Sequence, residues 1–277
     1  MKYKVIENFL DKDQCRLLIN EAENYAKDSH IKFENQRLHL LSTSLSYMNL
    51  LEKSESWMQL HNLLNSQKFL NQLLESLELK NMDFTVTNFF SIKKPGKFLK
   101  KYKQLGNKQI STLRFIDSIY YHFFKIFRNF QRILKFRFSS NNYVELIYDY
   151  SKSSNGYKRE IHRDSDSRTL VFLLYLNELS QNGIGGNLRL HKYNYSEKKI
   201  PSRPDIKDCT LIESITPKPG RLVTFSNSHD SLHDVEEMKN QIGHRHFLYG
   251  SFTLLGKKNP LIKKNLGSLE TEFSIFE

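Results

Sequence analysis

Residues 160–178 read EIHRDSDSRTLVFLLYLNE. A polar, Ser-rich loop carrying His162, Arg163 and Asp164 runs directly into an unbroken apolar, β-branched and aromatic stretch. In an extended chain, residues i and i+2 project to the same side, so the imidazole of His162 and the carboxylate of Asp164 can aim at one point. Three chemistries fit that pair: a metal clamp, the His-Arg-Asp of a kinase catalytic loop, or an ordinary polar turn ahead of a core strand. The kinase reading requires Asn five residues after the Asp. That position is Thr169, and neither a DFG nor a Gly-rich loop accompanies it.

A metal held on one face needs a third ligand from elsewhere in the chain. The run PKPGRLVTFSNSHDSLHDVEEMKNQIGHRHFLYGSFTL, residues 217–254, offers His229 and His233 after one strand-like segment and Arg245 at the start of the next. Two His and one carboxylate, with adjacent positions left open, is the ligand set of non-haem Fe(II) oxygenases. A dicarboxylic co-substrate such as 2-oxoglutarate that chelates the metal by one end needs a cation for its other end. The planar fork of Arg pairs bidentately with a carboxylate.

The elements that must position these residues fall into two textures. In the N-terminal half, KVIENFL (4–10) reads as a short strand and turn. Asp11 and Gln14 form a capping box for a helix whose apolar face is Cys15, Leu17, Leu18, Ala22 and Ala26. Residues 30–54 are mixed and polar. Residues 56–79 form a second helical pattern built on Leu63, Leu64, Phe69, Leu70, Leu73 and Leu74. A basic loop at 91–108 precedes an amphipathic segment at 115–138, with rings on one face and Lys and Arg on the other. From residue 141 short strand-like runs recur, separated by turn signals such as GIGG and PKPG, which indicates an antiparallel sandwich or barrel. The order, helices first and then a β core, is α+β.

The totals bound the function classes. The 42 Lys and Arg against 30 Asp and Glu leave a net charge of +12, which suits an acidic partner: a small anion, a nucleic acid or an anionic membrane surface. Such contact through the basic stretch 93–138 is the weaker reading, since an amphipathic helix more often packs on its own domain. Two cysteines, Cys15 and Cys209, cannot build a disulfide framework. With no basic-then-apolar leader and no apolar run near the ~20 residues that span a bilayer, the expectation is a cytoplasmic protein with no transmembrane segment.

The order HxD, RTLVFLLYLNE, GGNLRL and PKPGRLVTF…HDV resembles the prolyl-4-hydroxylase-like Fe(II)/2-oxoglutarate dioxygenases. The likeness runs over about residues 143–254, with an echo in VIENFLDKDQCRLLINEAE. It implies a double-stranded β-helix (jelly-roll) core over 141–256, buttressed by the mainly helical residues 1–140 and followed by a tail at 257–277, all one oxygenase domain. It implies Fe(II) held by His162, Asp164 and His233. His233 is preferred to His229 because HDV matches the family's His-x-Val. Arg245 then matches the basic residue for the 2-oxoglutarate carboxylate. Tyr175 and Tyr150 match hydroxyls near the co-substrate, with Tyr148 the substitute for Tyr150, and Leu188 matches a pocket wall. Ascorbate is a candidate reductant. The implied activity is hydroxylation of an unactivated C–H bond in a peptide residue (prolyl-like) or a small molecule, with release of succinate and CO2. Asp164, which halogenating relatives lack, favours hydroxylation. The rival from another class is a non-catalytic, cupin-like sensor of the metal and 2-oxoglutarate. The chain departs from the family in a longer gap between His233 and Arg245, in Ser251 where an aromatic is common, and in the insertion 194–208.

Overall fold

The computed structural model describes residues 1–29, 37–87, 136–195, 200–257 and 259–262. The basic loop 91–108, the amphipathic segment 115–138 apart from its last three residues, and nearly all of the tail lie outside that set.

Strand β1 (Tyr3–Ile6) leads into helix α1 (Lys12–Asp28). Asp11 caps α1: its side chain accepts the Gln14 N–H at 2.7 Å, and the Gln14 side chain accepts the Asp11 N–H at 3.1 Å. The helix buries Cys15, Leu18, Ala22 and Tyr25, whereas Leu17 faces solvent. Residues 37–53, unassigned from their mixed composition, form strand β2 (Arg37–Leu41) and helix α2 (Leu45–Lys53). The single helical pattern of 56–79 is two helices, α3 (Glu55–Leu64) and α4 (Gln67–Ser76). The break falls where Ser66 turns extended and caps α4 through the Phe69 N–H. A short strand, β3 (Phe84–Val86), follows.

The remaining strands are β4 (Asn142–Ser153), β5 (Arg159–His162), β6 (Arg168–Tyr175), β7 (Leu188–Tyr193), β8 (Cys209–Ile215), β9 (Leu222–Ser226), β10 (Leu232–Val235) and β11 (Arg245–Leu254). They form two sheets among the described residues. The major sheet runs β1-β9-β6-β11-β4-β2, with β3 beside β4, and the minor sheet runs β5-β10-β7-β8. This is the double-stranded β-helix, with the helices packed on the outer face of its major sheet.

Alternation along each major-sheet strand divides two cores. Leu170, Phe172 and Leu174 of β6, with Tyr148 and Tyr150 of β4 and Leu248 and Phe252 of β11, pack on the helices. Val171, Leu173 and Tyr175, with Val223, Phe225 and Phe247, face the minor sheet together with Leu188, Leu190 and Val235. The space between the sheets is therefore lined by every second residue of β4, β6 and β11, and functional side chains on those strands must share that phase. At the turn before β7, Gly185 has φ of 75°, and a Cβ there would sit 1.9 Å from the carbonyl oxygen of Glu237. Only Gly lets that turn lie flat on the β10 side.

On the helix side, Nδ1 of His246 meets the Tyr150 hydroxyl at 2.7 Å. Burial pushes the His246 pKa down to about 4, against the opposing pull of Glu23. The unfolded ring, near 6.5, takes up its proton first. The stability this provides is thus complete above about pH 6.5 and declines as pH falls toward 4. His61 and His162 are shifted in the same direction. Urea midpoints measured from pH 7 to pH 4.5 are expected to fall for the native chain. The fall should be shallower in His246→Asn, by up to about 1.4 kcal/mol per pH unit, and equal slopes would show that the ring is protonated in the fold.

Candidate metal centre

His233 of β10 stands directly opposite His162 of β5 in the antiparallel register, and the ring centroids are 4.4 Å apart. Nε2 of His233 lies 3.7 Å from Oδ2 of Asp164, and Nε2 of His162 lies 4.0 Å from Oδ1. One ligand atom from each of the three falls within 4.8 Å of the others, the one such metal-competent group among the described residues. His229 sits in the turn before β10 and is not part of it.

The tautomers suit a cation. Nδ1 of His162 donates to the Glu160 carbonyl at 2.8 Å, and Nδ1 of His233 to the Ser231 carbonyl at 3.1 Å. Each bond places the proton on the outer nitrogen and leaves the Nε2 lone pair turned inward. Burial, reinforced by the neighbouring His233, pushes the His162 pKa down to about 4, so its ring is neutral at pH 7. Asp164 is also buried, which pushes its pKa up. The charges of His233 and Arg168 and the Tyr249 hydroxyl outweigh this and hold the carboxyl below its usual range. Two imidazoles with inward-facing nitrogens and one carboxylate are the donors that Fe(II) accepts.

Asp164 is itself held. The Arg168 guanidinium donates to Oδ1 at 2.6 Å, and the Tyr249 hydroxyl straddles Oδ1 and Oδ2 at 2.8 and 2.9 Å. Burial, with Asp164 alongside, raises the Tyr249 pKa well above its ordinary value, so it remains a hydroxyl donor. The loop between β5 and β6 is pinned by Asn227, whose amide reaches the carbonyls of Ser165 and Arg168 at 2.8 and 3.0 Å. Asp234, next to His233, turns to the opposite face of β10. There it is engaged by Arg189 at 2.8 Å and His191 at 3.0 Å.

The centre opens into a cavity of about 510 Å³, lined on its apolar side by Tyr157, Leu173, Leu188, Val235 and Phe247. Leu188 thus lies on the wall. Arg245 and Tyr175 lie one layer deeper. The Arg245 guanidinium stacks 4.5 Å over the Phe247 ring and 5.1 Å over the Tyr175 ring, and Nη1 donates to the Gly186 carbonyl at 2.8 Å. Its Nε and Nη2 and the Tyr175 hydroxyl are buried without a partner at good hydrogen-bond distance and angle, although the guanidinium lies close enough to the Tyr175 hydroxyl to interact with it. Buried polar groups are seldom left unpaired. A carboxylate is the group that would complete two N–H donors of one guanidinium and a neighbouring hydroxyl.

Tyr150 does not belong to the site. It occupies the opposite phase of β4, packs edge-on against Trp57 at 5.2 Å and gives its hydroxyl to His246. Tyr148, its substitute, lies on the same side and meets the Tyr47 hydroxyl at 2.6 Å. The tyrosine that lines the cavity from this part of the chain is Tyr157, just before β5. Arg221, a potential rival of Arg245, is committed to Glu7 at 2.6 Å and to the Thr216 carbonyl at 2.6 Å. Tyr249 and Arg168 went unnoticed in the sequence. Tyr249 was legible in principle, being four residues after Arg245 on one strand and therefore on the same face.

A barrel of this topology around two imidazoles and a carboxylate defines a metal-dependent jelly-roll protein. Residues 146–252 match the profile of the 2OG-Fe(II) oxygenase superfamily. Its metal and co-substrate are Fe(II) and 2-oxoglutarate. Among solved structures, the chain is similar to a Pseudomonas putida prolyl-4-hydroxylase, at 15% identity over 91% of this chain and 92% of that one, with a TM-score of 0.45. A prolyl 4-hydroxylase from Phytophthora capsici matches at 15% identity over 94% of this chain and 61% of that one, with a TM-score of 0.49. A viral collagen prolyl hydroxylase from Paramecium Bursaria Chlorella virus-1 matches at 14% identity over 91% and 90%, with a TM-score of 0.43. No curated protein matches the sequence significantly. Among the described residues no helix is long and apolar enough to cross a membrane.

Titration of the apoprotein with Co(II), read by its visible absorption, is expected to show one site. That site should weaken by more than about 100-fold in His162→Ala, Asp164→Ala and His233→Ala, since even residues behind the ligands contribute about 10–100-fold. His229→Ala should bind as the native chain does; loss there with retention in His233→Ala would reverse the ligand choice. Tyr249→Phe, which removes one donor from Asp164, should cost about tenfold in Co(II) affinity without lowering the melting temperature below that of Asp164→Ala.

Proposed function

We propose that the chain is a hydroxylase that uses Fe(II) and 2-oxoglutarate, with His162, Asp164 and His233 as the metal ligands and Arg245 and Tyr175 as the holders of the co-substrate carboxylate. One observation carries the reading. Two inward-facing imidazole nitrogens and a held carboxylate border a cavity whose Phe247 wall stacks on a fully buried guanidinium with two of its nitrogens unbonded. A structural role for Arg245 would have left its N–H groups paired. Instead one is used to fix the fork on Gly186 and two are left unbonded.

The chemistry supplied by the iron and 2-oxoglutarate, when bound, is O2-dependent decarboxylation coupled to hydroxylation of an unactivated C–H bond, with succinate and CO2 as products. The chain's own residues set its geometry. Glu160 and Ser231 carbonyls orient the two imidazoles. Arg168 and Tyr249 occupy Oδ1 more heavily than Oδ2, which would leave Oδ2 as the Asp164 oxygen free to hold the metal. Burial of Arg245 excludes water from the carboxylate pair and strengthens it. The apolar side of the cavity, Leu173, Leu188, Val235 and Phe247, keeps water from the C–H bond under attack. The substrate is a peptide residue or a small molecule that enters over this wall.

Anaerobic addition of Fe(II) and then 2-oxoglutarate should produce the weak visible band of the chelate, and O2 should then release succinate. A band with no succinate under any substrate mixture would favour the sensor, and no band would sink both readings. Arg245→Gln should raise the 2-oxoglutarate concentration needed for half-maximal band intensity by about 10–100-fold, since a charge-assisted hydrogen bond contributes about 1.5–3 kcal/mol. An unchanged requirement would move the co-substrate carboxylate elsewhere.

A further inference from the structure

Five guanidiniums and three carboxylates line the cavity: Arg37, Arg159, Arg163, Arg168 and Arg203 against Asp149, Asp164 and Asp166. Each acid already has its cation. Arg37 reaches Asp149 at 2.6 Å, Arg168 reaches Asp164 at 2.6 Å, and Arg163 reaches Asp166 at 2.7 Å. Arg159 and Arg203 remain, both exposed. The acids nearest to them along the chain are engaged elsewhere, Glu160 with Lys158 at 2.7 Å and Asp205 with Lys207 at 3.1 Å. The two arginines belong to one rim. Both line the same cavity, and the Arg163 N–H donates to the Ser202 carbonyl at 2.8 Å, which pins the loop carrying Arg203 just past the C-terminal end of β5, the strand that begins with Arg159.

Two like charges on the lining of one cavity, neither in an ion pair with an acid among the described residues, are a poor arrangement for the empty protein and a good one for an anion. The guanidinium fork suits the planar carboxylate and the tetrahedral phosphate alike. Below the rim the wall turns apolar, through Tyr157, Leu173, Leu188, Val235 and Phe247. A molecule that matches both levels has an apolar body to place near the metal centre and a negative end to leave at the mouth.

We propose that Arg159 and Arg203 form an anion-binding subsite at the mouth of the cavity, and that the substrate is an organic anion whose carboxylate or phosphate group docks there while its apolar part reaches inward. The subsite deepens the oxygenase reading and rests on it only for what happens to the inner part of the ligand. The carboxylate or phosphate can come from an acidic side chain of a peptide or from a small metabolite, and the two sources are separable.

The test is calorimetric titration of the intact chain, metal-free and again with Zn(II) and saturating 2-oxoglutarate, at fixed ionic strength. The probes are inorganic phosphate and a hexaglutamate peptide. Saturable binding of at least one probe is expected, weakened about tenfold or more in the double variant Arg159→Gln/Arg203→Gln, in line with the loss of charge-assisted hydrogen bonds. Arg16→Gln, on the exposed face of α1, should leave it unchanged. Phosphate binding without peptide binding supports the subsite with a small anion as substrate, and the reverse supports it with an acidic peptide. Absence of binding by both probes, or equal affinity in the double variant and the native chain, overturns the proposal. Because the metal-free titration needs no turnover, a chain that binds the probes through these arginines and releases no succinate would overturn the oxygenase reading and leave the subsite standing.

Discussion

The antiparallel pairing of β10 with β5 is the constraint on which the centre depends. His233 faces His162 across that pair, and the ladder is irregular just beyond it, between His233 and Val235. Side chains alternate along a strand, so a slip of one residue would exchange His233 with Asp234 and send the imidazole to the far face. Asp234 already has its own partners there in Arg189 and His191. These bonds reward the correct register and penalise the slipped one, in which a carboxylate would lose two cationic or donor partners and face Asp164. Val235, buried in the core on the same side as His233, acts in the same direction.

Charge burial is the second constraint. Asp164, Arg245 and Asp234 are all nearly inaccessible, and an isolated ion in such a place is costly. The fold handles them in different ways. Asp164 and Asp234 are matched by arginines and additional donors, so they are stable as ions before any metal arrives. Arg245 is matched only by one carbonyl and two aromatic faces. Cation–π contact offsets part of the desolvation, but the two unpaired N–H groups remain. The asymmetry separates carboxylates that the fold satisfies by itself from a guanidinium that it leaves partly unbonded.

How much of this was legible in the sequence follows from periodicity. The strands of the β core carried strong runs between Gly and Pro turns, and the pair His162 and Asp164 could be read from the phase of a single strand. The capping box at Asp11 and Gln14 was visible because it is local. What failed was phase relative to a partner. Tyr150 lies in a clear strand, but which face of that strand meets the minor sheet is set by pairing with β11, where Leu248 stands opposite Tyr150 and Phe247 opposite Ser151. Strand β2 was hidden because RLHLL is too short and too mixed to show alternation, and it is held by its pairing with β4. The break between α3 and α4 was hidden because the apolar spacing carries across Ser66, whose capping role appears only with its extended backbone.

Strand β2 has a consequence for the cavity. Its first residue, Arg37, reaches over the end of β4 to Asp149 and Ser151 and lies about 6 Å from the rings of Tyr157 and Phe247. Phe247 therefore carries a guanidinium from each side of the site, Arg37 from the edge strand and Arg245 from beneath. The first is neutralised by Asp149 and the second is not, so the field inside the cavity points to the deeper residue. An anion drawn by the rim meets two arginines with no acid partner at the mouth and the neutralised Arg37–Asp149 pair at the wall, with Arg245 behind the Phe247 ring.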